Sequence, residues 1–130
     1  MSSFNIRVYY EDTDAGGIVY YANYLKFAER ARTELLREKG FESSALIESD
    51  RIGIVVRHVE MDLRLPARLD DFLTVETLPI ELKKASFTLS QKIMKDGLHL
   101  ATIIVKLACI NIDSGRPVPI STQLTEILTP

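Results

Sequence analysis

One cysteine, Cys109, in 130 residues excludes an intramolecular disulfide framework, and no Cys/His run has the spacing of a zinc site. Nor is there an excess of charge of either sign. Sixteen basic and eighteen acidic residues leave a formal net charge of -2, so a global field for nucleic acid is excluded. A polyanionic ligand would have to be met by a local basic cluster. No apolar run approaches about 18 residues before a charge breaks it, so no membrane-spanning helix is expected. Repeats, low-complexity tracts and interdomain linkers are also missing. A chain of this length is expected to form a single domain over residues 1–130, large enough to bury a core without disulfides or metals. The lone cysteine and the lack of a recognisable secretory leader predict a reducing, cytoplasmic compartment.

The segments that are present change character once. Residues 4–10 alternate as a strand and run into EDTDAGG, where two aspartates and two glycines demand a turn. Residues 19–39 then predict a helix. Tyr24, Phe27, Ala28, Ala31 and Leu35 recur at three- and four-residue spacings on one face, Lys26, Arg30, Glu34 and Arg37 lie on the other, and Gly40 is a natural stop. A helical turn is expected at 44–48. From Ile52 onward, residues 52–65, 72–82, 86–94 and 98–112 are rich in β-branched residues and separated by PARLDD, KKA and KDG, with DSGRP closing the last. KDG and DSG suit hairpins, so these four segments suggest an antiparallel meander. Ser121 could cap a closing helix over 121–128. A helix whose apolar stripe holds three large residues and two alanines must lie against a sheet. The expected fold class is therefore α+β.

Asp12 and Asp14 sit between a strand and a helix start. Such residues commonly serve as turn or cap groups. They can also do chemistry here, because a helix N-terminus presents unpaired N–H groups and a positive dipole end to a carbonyl oxygen gaining charge. A carboxylate one turn upstream could attack that carbonyl or activate water, and Gly16 and Gly17 would leave room for a ligand. No rival nucleophile stands out. The serines lack a G-x-S-x-G context, and Cys109 within IIVKLACINI reads as a small core residue. His58 and His99 have no recognisable partner in the sequence and read as structural or surface residues. Glu29 and Arg32, three apart on the helix, fit an ion pair. Lys83 and Lys84, with Ser86 beyond them, read either as a solvated hairpin or as a phosphate clamp, and Arg64 and Arg68 admit the same two readings.

VYYEDTDAGGIVYYANYLKFAERARTELL closely resembles the N-terminal signature of the 4-hydroxybenzoyl-CoA thioesterase family, most of all its Tol-Pal-associated (YbgC-type) acyl-CoA thioesterase branch. Y-x-D-T-D-x-x-G-x-V-Y-x-x-x-Y followed by E-x-A-R holds fixed spacings over about thirty residues. The similarity continues through VVRHVEMDLRLPARLDDFLTVET and more loosely through KKASFTLSQKI and CINIDSGRP.

The resemblance implies a hotdog fold, in which an antiparallel sheet wraps one long helix, and hydrolysis of acyl-CoA to free acid and CoA. It implies that Asp14 is the catalytic carboxylate, that the backbone N–H of Tyr21 polarises the thioester carbonyl, and that Gly17 allows close approach. Lys83, Lys84 and Ser86 become candidates for the CoA phosphates. No metal and no cofactor are implied, coenzyme A being part of the substrate. The family assembles as dimers paired through their sheets, often as homotetramers, with active sites at subunit interfaces. One departure is that many members of the Tol-Pal-associated branch carry histidine at the position of Tyr21, which could remove an auxiliary acid or base. The backbone donor is untouched, since any residue but proline supplies it. The competing reading is a non-catalytic hotdog module that binds acyl-CoA or an acyl carrier protein. A dehydratase relative is weaker, because it would need a histidine near the helix.

Overall fold

The computed structural model describes residues 2–129, so Met1 and Pro130, the ends of the expected domain, lie outside the described residues. The elements run β1 (Ser2–Arg7), a 3-10 turn at Tyr10–Asp12, α1 (Tyr21–Glu38), α2 (Ser43–Asp50), β2 (Ile52–Leu63), β3 (Phe72–Leu82), β4 (Ser86–Lys95), β5 (Leu98–Asn111) and α3 (Thr122–Leu128). The five strands form one antiparallel sheet in the order β1-β3-β4-β5-β2. This is the α+β, hotdog arrangement expected from the sequence. No helix among the described residues is long and apolar enough to cross a membrane.

Only β3, β4 and β5 form the expected meander; β2 does not sit beside β3. It pairs instead with β5 at the opposite edge, Ile54 opposite Cys109 and Val59 opposite Val105. β1 takes the place beside β3, Arg7 opposite Phe72. The segment joining β2 to β3, residues 64–71, crosses the sheet end instead of closing a hairpin, because its backbone is used elsewhere. Arg64 and Leu65 N–H both donate to the Leu100 carbonyl, and the Ala67 carbonyl accepts Val19 N–H at 2.8 Å. The KDG turn is a tight hairpin with both Asp96 (φ 49) and Gly97 (φ 81) left-handed, which suits the twist of β4 and β5.

Two strand and helix ends differ from expectation for reasons the hydrogen bonds show. β1 stops at Arg7 because Tyr9 N–H is taken by the Asp12 carboxylate at 2.8 Å. α1 starts two residues late because Val19 N–H goes to Ala67 O and Tyr20 N–H to Asp12 O. Its far end closes as expected. Gly40 (φ 81) donates to Arg37 O at 3.0 Å and Phe41 to Leu36 O at 2.9 Å, with Leu36 and Phe41 packed in the same cluster. Ser121 caps α3 by accepting Leu124 N–H at 3.1 Å.

The α1 stripe meets the sheet as its spacing requires. Tyr24, Phe27, Ala28 and Ala31 pack with Val8, Leu73, Val75, Ile93, Ala101 and Ile103, while Leu36 joins Phe87, Leu89, Val105, Leu107 and Cys109 nearer the α3 end. Burial alternates along β5, with residues 101, 103, 105, 107 and 109 facing inward. Removing the Phe27 ring from this core would lower stability by about 3–5 kcal/mol.

Candidate active site

The loop between β1 and α1 is a small hydrogen-bonded frame. Asp14 N–H donates to Ile18 O at 2.9 Å, its own carbonyl accepts Gly17 N–H at 3.1 Å, and its Oδ1 accepts Gly16 N–H at 2.8 Å. Oδ2 accepts no hydrogen bond among the described residues. Gly17 supplies the left-handed residue of this turn at φ 79, a conformation costly for any residue with a Cβ. The Asp14 carboxylate is thus oriented by one oxygen and open at the other, and the residue is exposed.

α1 begins without a cap. Tyr20 makes no side-chain bond to the helix and no acidic residue lies in the first turn. Asn23 N–H turns back to Tyr20 O at 2.8 Å, which leaves the N–H groups of Tyr21 and Ala22 without an acceptor among the described residues. An 18-residue helix with an open N-terminus offers two donors and a positive partial charge to an incoming oxygen.

These two features share one cleft of about 480 Å³, lined by Asp14, Ile18, Tyr20, Tyr21 and Tyr24 on one side and by residues 63–66 on the other. The Tyr20 and Tyr21 rings stand 5.0 Å apart at the helix start, both substantially exposed. Tyr24 is buried, and its hydroxyl accepts Ala67 N–H at 3.0 Å, tying the first turn of α1 to the opposite wall. Burial, opposed by that bond, raises the phenol's pKa, so the hydroxyl stays protonated. A carboxylate, free backbone donors and apolar walls suit attack on a polarised carbonyl carbon.

The other sequence candidates lie elsewhere. Lys83, Lys84 and Ser86 occupy the β3–β4 turn, at the opposite end of β3 from the Asp14 loop. Eleven residues of strand put roughly 30 Å or more between them. Lys83 N–H donates to Ser86 O, Lys83 Nζ lies 3.7 Å from Glu81, and Ile120 N–H donates to Lys84 O, so within one subunit they form a hairpin. The basic side chain that lines the cleft is Arg64, which also bonds Asp62 at 3.2 Å. Glu29 and Arg32 form no ion pair among the described residues. Arg32 instead donates to Gln91 Oε1 at 3.1 Å, and burial draws its pKa down. Both line a second cleft, of about 410 Å³, between α1 and β2, β4 and β5. His58 meets Glu60 on the exposed face of β2, and His99 meets Thr102 and Ala101. Cys109 is buried, which pushes its thiol pKa up.

The sequence reading expected unpaired N–H groups at the start of α1 but not the absence of a capping side chain, although a signal existed: Val-Tyr-Tyr stands where Ser, Thr, Asp or Asn would announce a cap. The role of Asp12, 4% exposed against Asn23, also escaped it.

With that geometry in hand, the chain can be placed among known proteins. The profile of the thioesterase-like superfamily matches residues 8–128. Acyl-CoA thioesterase YbgC of Haemophilus influenzae is 47% identical over 116 residues, covering 89% of this chain and 85% of that protein. Acyl-CoA thioesterase YbgC of Helicobacter pylori is 44% identical over 133 residues, covering 95% and 96%. Among solved structures, a probable thioesterase from Bartonella henselae superimposes with a TM-score of 0.88 at 39% identity, covering 92% of this chain and 98% of that one. The chain belongs to the thioesterase-like superfamily.

Proposed function

We propose that this chain is an acyl-CoA thioester hydrolase, with Asp14 as its attacking or water-activating carboxylate and the Tyr21 N–H as the donor to the thioester carbonyl. The observation that carries this is the shared cleft, lined both by a carboxylate with one free oxygen and by the start of a helix with unpaired N–H groups. The names of the Haemophilus and Helicobacter relatives agree with it.

The thioester carbonyl oxygen would accept the Tyr21 N–H at the positive end of α1, which draws electron density from the carbon. In one route Asp14 takes a proton from water as the water oxygen bonds to that carbon. The tetrahedral oxyanion then collapses, the C–S bond breaks, and CoA leaves as the thiolate that collects a proton. In the other, an Asp14 oxygen bonds the carbon directly, expels the thiolate and leaves a mixed anhydride that water opens. Both consume one water and give acid plus CoA, so no cofactor or metal is assigned. Arg64, the basic side chain in the cleft lining, is our candidate within the subunit for a CoA phosphate. Lys83 and Lys84 can contribute only from a second subunit, which fits an active site completed in a homodimer or homotetramer. We place the enzyme in the cytoplasm, where acyl-CoA and a free buried thiol are both at home.

The Gly16 bond to Oδ1 is also what an ordinary turn aspartate makes, and it favours the alternative of a module that binds acyl-CoA without cleaving it. Thiol release from short, long and aromatic acyl-CoAs decides between them. Wild type should release CoA, and Asp14→Asn should be at least about 10²-fold slower in kcat. Binding without release by folded wild type, or near-normal kcat in Asp14→Asn, would overturn the assignment. Buried Cys109 should add no background to a thiol reagent while the protein is folded.

A further inference from the structure

Asp12 is 4% exposed and Asn23 7%, a buried charge beside a buried amide at the start of α1. Burying a carboxylate is unfavourable unless both oxygens are hydrogen-bonded, and here they are. Oδ2 accepts Tyr9 N–H at 2.8 Å and Oδ1 accepts Asn23 Nδ2 at 3.0 Å. The backbone of the same residue works in parallel. Its N–H donates to Tyr9 O at 3.0 Å, and its carbonyl accepts Tyr20 N–H at 2.9 Å. Asp12 therefore binds the strand end at Tyr9 and both sides of the first helical turn, Tyr20 and Asn23. Two residues on is Asp14, and between them Thr13 pairs with Val19.

A turn alone would not need this. The two carboxylate oxygens accept from two directions at once, Tyr9 N–H on one and Asn23 Nδ2 on the other, and so couple the loop to the helix. What it couples are the two halves of the cleft: the loop that carries the carboxylate and the helix end that carries the donors. We propose that Asp12 and Asn23 form a positioning latch that sets Asp14 against the Tyr21 N–H, acting through those groups without touching substrate. This rests on the reading of Asp14 and Tyr21 given above.

The test is a donor–acceptor exchange in the full-length protein, scored by kcat, KM and melting temperature on an acyl-CoA that wild type hydrolyses. Asn23→Asp sets two carboxylates against each other and should lower kcat by about ten-fold or more with KM little changed, as a sub-ångström misplacement of reacting groups does. Adding Asp12→Asn restores one amide and one carboxylate with their roles reversed, and kcat should return to within about three-fold of wild type. Should Asn23→Asp fail to fold, Asn23→Leu replaces it as the latch-breaking variant and should show the same fall in kcat. A folded latch-breaking variant with wild-type kcat would overturn the latch, as would a loss confined to melting temperature or an exchanged pair as slow as Asn23→Asp. Asp14→Asn runs alongside: if it keeps its activity, the reading of the site has failed; if it is inactive while the latch variants are normal, only the latch has.

Discussion

The backbone N–H of Gly16 donates to Asp14 Oδ1 at 2.8 Å, and a Cβ added at Gly16 would stand 3.2 Å from that same oxygen. The contact is tight enough to turn the carboxylate by a few tenths of an ångström, and the Gly16 φ lies outside the left-handed region, so alanine strains nothing else. Gly16→Ala should therefore lower kcat by roughly ten-fold with little change in melting temperature. Gly17→Ala makes the opposite pattern. Its Cβ would meet nothing within 4 Å, but φ 79 penalises it by about 1–2 kcal/mol, so stability falls first. Steady-state kinetics and thermal melts on the pair check this, and equal effects on kcat would contradict the steric argument.

Acid should loosen the wall opposite Asp14 through Asp71. Burial alone would raise the pKa of this carboxyl, but Lys95 Nζ at 2.9 Å and Arg68 N–H at 2.8 Å outweigh it and hold the group below its ordinary 3.8. A carboxyl lowered in the folded state contributes stability above the unfolded value and loses it as pH falls through the folded one. Asp71→Asn should then be about 1–2 kcal/mol less stable at pH 7, with the gap closing below about pH 3.8. Urea unfolding of both proteins at pH 7 and pH 3 measures the gap, and an unchanged difference would count against the ion pair.

Where the sequence was readable, a single strong periodicity or a short-range bond decided the structure. Tyr24, Phe27, Ala28 and Ala31 announced the buried face of α1, and Gly40 announced its end, because both depend on neighbours within a turn or two. The place of β2 was hidden because hydrophobic alternation says that a strand exists and nothing about its partner. Whether residues 64–71 turn or cross depends on Leu100 and Val19, 36 and 48 residues from Arg64 and Ala67. Spacing from the helix marked Asp12 and Asp14 alike as turn, cap or site candidates, and the family resemblance alone singled out Asp14. The burial of Asp12 was not legible, since a buried carboxylate and an exposed turn aspartate look alike until Asn23 and Tyr9 are brought to it.

Gln91 is the one glutamine fully buried between α1 and the sheet, and every polar atom of its amide is engaged. Nε2 donates to Ala28 O at 2.9 Å and Thr77 Oγ1 at 3.0 Å, while Oε1 accepts Arg32 at 3.1 Å. Gln91→Leu fits the space but strands Thr77 and the half-buried Arg32 guanidinium. It should destabilise the fold by about 2–4 kcal/mol. Denaturant midpoints check it, and a change below about 0.5 kcal/mol would show that the network relaxes without loss.

β2 pairs with β5 on one side, and no strand among the described residues pairs with its other edge. Twelve residues make an edge about 40 Å long, and Val55, Val56, Val59 and Leu63 on it are all exposed. A long apolar edge left open is a template for pairing, and proteins that stay monomeric blunt such edges with charge or proline. Here the charges are of both signs, Arg57 against Glu60 and Asp62, so two antiparallel copies of β2 can set each arginine near a carboxylate. The same pairing would extend the second cleft, which Val55 and Val56 line, across the boundary between subunits. Wild type should therefore sediment as a dimer or larger at micromolar concentration, and Val59→Lys should shift it toward monomer. On the proposal that Lys83 and Lys84 serve the cleft from a partner subunit, that monomer should lose hydrolysis while keeping the circular dichroism of a folded chain. A wild-type monomer with full activity would remove both the pairing and the case for an active site completed by a second subunit.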